Sequence, residues 1–102
     1  MSANYVKEFN ADMGELSLNV GGGKHWKRFS AREIEKIRKT TIQKKKLFIT
    51  RPIDRIEILV SGEETPFIIE KGKIKDDFQW ITDVIKRFAE KNKVVYEEGD
   101  SA

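Results

Sequence analysis

The sequence predicts an α+β domain: an antiparallel, strongly bent sheet or partial barrel closed by a C-terminal amphipathic helix. Three observations carry this expectation. Near the C-terminus Phe78, Ile81, Ile85 and Phe88 recur at spacings of three and four, the period of a helix with one buried face. In "ELSLNV" the apolar Leu16, Leu18 and Val20 alternate with Glu15, Ser17 and Asn19, the period of a half-buried strand. Between these segments, β-rich runs are separated by stretches bearing glycine or proline.

In chain order, residues 1 to about 4 and about 97 to 102 read as frayed ends of a single domain. "KLFIT" and "RIEILV" read as strands, divided by a turn at Arg51-Pro52-Ile53-Asp54. Ser61-Gly62-Glu63-Glu64 divides the second from the strand "TPFIIE", and Lys71-Gly72-Lys73 breaks the chain before the helix. The helix is expected over 76–92, with Asp76 and Asp77 at its positive end and Asn92 as a left-handed cap. Trp80 flanks the apolar stripe and is read as completing the core, with an aromatic surface spot near Val84 as the other reading.

One segment, "FSAREIEKIRKTTIQKKK", supports two readings. Ser30 with Glu33 spells a capping box, and Ile34 and Ile37 stand three apart, which favours a helix. Thr40, Thr41 and Ile42 are β-branched and the apolar stripe is narrow, which favours a turn leading into a strand.

The pattern Phe29-Ser30-x-x-Glu33-Ile34-x-x-Ile37, followed by basic residues, strands and a helix carrying Ile74, Asp77, Phe78, Ile81 and Ile85, resembles the bacterial pleckstrin-homology-like (PH-like) domains. The resemblance covers roughly residues 14–92 and implies a small barrel capped by its last helix. It also implies a non-catalytic platform for lipid headgroups, peptides or protein partners. Headgroup-binding members carry a lysine and then basic-x-Arg in the first hairpin loop. Here Lys24 follows the glycines, but Lys27-Arg28 lacks that spacing, and Lys36-Ile37-Arg38, which has it, lies beyond the loop.

Composition narrows the chemistry. With no cysteine there is no disulfide, thiolate metal site or cysteine nucleophile. No leader-like apolar run follows Met1, so a cytoplasmic protein is expected. Gly21-Gly22-Gly23-Lys24 is not a P-loop: Leu18 stands where its first glycine belongs, and His25 replaces the magnesium-binding hydroxyl. His25, the only histidine, has no companion that would make it a base or a ligand. The acidic pairs Glu63-Glu64 and Asp76-Asp77 read as a turn and a helix start. No catalytic, cofactor or metal site is expected.

The charge distribution is the informative feature. Residues 24–51 hold eleven basic and two acidic groups, a net of +9, whereas the remainder, with nine basic and fifteen acidic, nets −6. The candidate contact residues are Lys24, Trp26, Lys27, Arg28, Arg32, Lys36, Arg38, Lys44, Lys45 and Lys46, accompanied by Lys39 and Phe29. The expected function is binding, to an acidic protein surface or an anionic headgroup. The alternative is single-stranded nucleic acid, with Trp26 and Phe29 as stacking platforms. Against both stands a solvated strand pair whose cations are balanced by acids elsewhere in the molecule, the acidic tail among them.

Overall fold

The computed structural model describes residues 4–21 and 26–99. The chain forms β1 (Asn4–Tyr5), β2 (Glu8–Ala11), β3 (Glu15–Asn19), β4 (Trp26–Ser30), a 3-10 turn (Ala31–Glu33), β5 (Ile34–Lys46), β6 (Ile49–Val60), β7 (Phe67–Glu70), α1 (Phe78–Asn92) and β8 (Tyr96–Glu98). The class is α+β. Five strands form one sheet in the order β1-β7-β6-β5-β8, and three form a second in the order β2-β3-β4.

The two sheets meet at two corners. At the first, the chain leaves β1 on the large sheet and enters β2 on the small one: the Val6 amide donates to Ile68 and the next amide, Lys7, donates to Asn19. Val6 is accordingly buried between the layers. The second corner is the 3-10 turn between β4 and β5. Leu16, Leu18 and Phe29 face the core from the small sheet, and Ile37, Ile56, Ile58, Phe67 and Ile69 face it from the large one. The Phe29 and Phe67 rings meet at 5.3 Å across the gap. Helix α1 adds Phe78, Ile81, Ile85, Phe88 and Ala89 to the same cluster.

The helix starts two residues later than expected, because Asp77 itself is the N-cap and accepts from the Trp80 amide at 3.0 Å. The left-handed cap falls on Lys93, with φ 58, instead of Asn92, whose side chain donates to the Phe88 carbonyl. Trp80 does not complete the core. It is 53% exposed and leans on Phe9 with ring centroids 5.9 Å apart.

The ambiguous segment resolves as a turn leading into a strand. Ser30 and Glu33 do form the capping box, but it closes only the 3-10 turn. Ile34 and Ile37 both reach the core because the pairing with β6 slips between Ile34 and Lys36. That bulge brings residues three apart onto one face of a strand, which mimics helical spacing.

Three boundaries differ from expectation. The turn at residues 51–54 does not exist: β6 runs through Pro52, and the reversal is the two-residue turn Leu47-Phe48 between Lys46 and Ile49. Proline fits there because β7 pairs with β6 only at residues 55–58, so no strand needs the missing amide on that side. The expected frayed ends are partly strands. Asn4 belongs to β1, and Glu97 and Glu98 lie in β8, parallel to β5.

Candidate anion-binding surface

Strand β5 carries six of the eleven basic residues of segment 24–51, and its geometry decides which of them act together. It pairs with β6 along their whole length, but β8 flanks β5 only at residues 37–39. With β7 ending opposite Arg55, residues 41–53 stand out as a two-stranded arm with both edges free. At strand rise the arm extends about 20 Å past its last lateral partner. Near its root, Thr41 donates its hydroxyl to Asp54 at 2.8 Å across the pair.

The expected contact residues fall into separate groups. Trp26 and Arg28 lie on the outer face of the small sheet, where with Asn10 and Ser17 they line a shallow concavity. Lys27 points the other way: its ammonium sits 5.7 Å from the centre of the Phe67 ring and 3.9 Å from Glu63. Phe29 is a core residue, so it offers no stacking surface. Arg32 is exposed on the 3-10 turn. Lys24 and His25, with Gly22 and Gly23, lie outside the described residues.

On β5, Lys36, Arg38 and Lys44 are paired, whereas Lys39 has no acid at ion-pair distance among the described residues. Lys36 lies 2.9 Å from Glu97, Arg38 lies 3.9 Å from Glu57, and Lys44 lies 2.6 Å from Glu70. Glu97 comes from the acidic C-terminal segment, so that part of the charge balances within the molecule. Glu70 is buried, and Lys73 adds a second cation at 3.8 Å. Its cross-strand neighbour Arg55 is partly buried and the next residue in the row, Thr40, is buried, making a polar row across three strands on the face opposite Ile56 and Ile69.

Beyond Lys44 the balance ends. Lys45, Lys46 and Arg51 have no acidic group at ion-pair distance among the described residues. Lys44 and Arg51 are direct cross-strand partners, a like-charge pair that strands otherwise avoid. A cleft at this end is lined by Lys44, Lys45, Lys46, Leu47, Arg51 and Ile53, among others. The residues that sequence reading missed sit here: Leu47 is 84% exposed, Phe48 fully exposed, and Ile49 more than half exposed. "KLFIT" reads as strand because no glycine, asparagine or proline marks Leu47-Phe48 as a turn.

Among the described residues no group of three or more His, Cys, Asp or Glu side chains is placed to hold a metal ion. Asp77 is occupied as the helix cap, and the Glu63 amide closes the turn after β6 by donating to Val60. Among the described residues Tyr96 is the one group with a marked shift. Burial, then its hydrogen bond to Glu98, and the charges of Glu98 and Asp83 push the phenol well above its ordinary range. Among the described residues no helix is long and apolar enough to cross a membrane. Comparison with known proteins leaves the geometry to speak alone: no family model, no curated protein and no solved structure matches this chain.

Proposed function

We propose that the protein is a non-catalytic binding module on a PH-like scaffold, engaging an anionic partner, a headgroup or an acidic protein surface, through the end of the β5–β6 arm. The PH-like reading is supported by the order of elements: a three-stranded sheet, a corner, the β5-β6-β7 meander and a closing helix. The functional reading rests on one observation, the gradient of charge neutralisation along the arm. Lys36, Arg38 and Lys44 have acids beside them and Lys39 alone nearer the body does not, whereas Lys45, Lys46 and Arg51 together have none among the described residues. Unpaired cations clustered at a projecting end attract anions at long range and give up no internal ion pair on contact.

Two charge-matched variants test this. Lys45→Ala/Lys46→Ala and Lys36→Ala/Arg38→Ala remove the same net charge from different places. The first variant is expected to elute from heparin at clearly lower salt than the second. Equal shifts would assign retention to net charge and sink the reading.

Single-stranded nucleic acid is the second reading, favoured by the half-exposed Trp26 beside Arg28 on the small sheet. In a Trp80→Phe background it requires oligonucleotide quenching of Trp26, with affinity falling steeply as salt rises.

A further inference from the structure

We propose that the arm tip is a membrane wedge: Leu47, Phe48 and Ile49 insert into the interface of an anionic bilayer while Lys45, Lys46 and Arg51 hold its headgroups. This rests on the reading of the arm as the anion-binding end and names the partner.

The argument starts from a local conflict. A two-residue hairpin turn favours positive φ at its first central position, where glycine is relaxed and a branched side chain is not. Here that position is Leu47, with φ 57. The turn thus carries backbone strain and at the same place exposes a large aliphatic group to water. Phe48 beside it is fully exposed, and Ile49 completes a contiguous apolar cap. Strain together with exposure at the far point of a projecting element has a physical reason if the cap is covered by something apolar.

Charge identifies that cover. Lys46 and Lys45 on one strand and Arg51 on the other stand one to three residues back from the Leu47-Phe48 turn, about 3–10 Å along the arm. The order from the tip inward is apolar, then cationic, and only then paired and polar. A bilayer with anionic lipids has the matching order, hydrocarbon below phosphate, over the same depth of about 5–10 Å. Lysine and arginine stems lie along apolar surface while their heads stay at headgroup level. Phenylalanine, leucine and isoleucine all gain from entering the acyl boundary, whereas only Phe48 would contribute a ring to base stacking. The arm's free cations also disfavour a second copy of the same arm as the cover, since like charges would meet. Nothing else on the arm competes, because its flanking edges are guarded by Lys44 and Pro52.

The test is sedimentation with vesicles of phosphatidylserine and phosphatidylcholine, against phosphatidylcholine alone, for the full chain and variants. Binding is expected to the anionic vesicles only. Phe48→Ser should weaken it by between about tenfold and a hundredfold, and Lys45→Glu/Lys46→Glu by more than a hundredfold, at about fivefold per charge. In a chain with Trp26→Phe and Trp80→Phe, Phe48→Trp should shift its emission to the blue on binding and be quenched by brominated lipid. An unchanged melting temperature for Phe48→Ser, whose side chain touches nothing buried, shows that the loss is not unfolding. Binding lost on charge reversal but indifferent to Phe48→Ser, without quenching, overturns insertion and leaves the anionic contact standing. Binding to a single-stranded oligonucleotide but to no vesicle overturns the lipid partner. Binding to none of these probes overturns the membrane wedge and the nucleic-acid reading, and the anion-binding arm falls with them if heparin retention is also indifferent to Lys45→Ala/Lys46→Ala.

Discussion

The Lys44 ammonium lies 2.6 Å from a Glu70 carboxylate oxygen, joining the free part of the β5–β6 arm to a buried acid at the end of β7. Lys44 stands beyond the last lateral strand, whereas Glu70 is 2% exposed. A single charge-assisted contact therefore ties the projecting arm back to the body. It also explains how an acid comes to be buried there, with Lys73 as its second counter-ion.

Lys44→Met should lower stability by about 2 kcal/mol in urea unfolding. That lies between the value of an exposed pair and the larger cost of orphaning a fully buried charge, because Lys44 itself is partly solvated. Adding Glu70→Gln should recover part of the loss, since the stranded charge is then gone. Additive losses would show that the two side chains are not coupled.

The helix has one critical face. Ile85→Ala, at a fully buried position, should cost about 2–5 kcal/mol. Trp80→Ala, on the exposed shoulder against Phe9, should cost about 1 kcal/mol. Chemical unfolding of both variants checks the order, and a larger loss at Trp80 would contradict the placement of the two side chains.

Tyr96 makes stability fall in alkali. Burial and the nearby carboxylates favour its neutral phenol in the fold, so its native titration lies above that of the unfolded chain. The contribution is complete below about pH 10, the ordinary tyrosine value, and declines as pH rises above it, because the unfolded chain releases the proton first. Urea midpoints measured across that range should drop less steeply for Tyr96→Phe than for the parent.

Leu47→Gly should raise stability by about 1 kcal/mol, since the positive φ at this turn no longer opposes a side chain. Thermal unfolding reads this directly. A neutral or destabilising outcome would mean that the strain at the turn is relieved elsewhere.

Much of the fold was legible where one face alone is buried. The stripe from Phe78 to Phe88 and the alternation through Leu16 and Leu18 repeat at the periods of the elements they form. Segment 30–46 was ambiguous for a physical reason: the bulge near Ile34 imposes helical spacing on a strand, and only the partner strand β6 settles the matter. The reversal at Leu47-Phe48 was illegible because its residues contradict local turn preference. The basic segment was visible as charge, but not which cations are cancelled. That depends on Glu57, Glu70 and Glu97, acids remote in sequence and brought alongside only by folding.

The two edge strands of the large sheet have a consequence of their own. β1 runs along the outer edge of β7, and β8 along the outer edge of β5, both in the parallel sense. Together these short strands hem the large sheet on its two sides, using the Val6, Ile37 and Gly99 amides as stitches. Trimming either terminus would leave a row of unsatisfied amides and carbonyls beside a largely apolar layer, a template for association between molecules. These two edge strands therefore guard the large sheet against pairing between molecules, and a truncation that removes either hem is expected to aggregate before it unfolds.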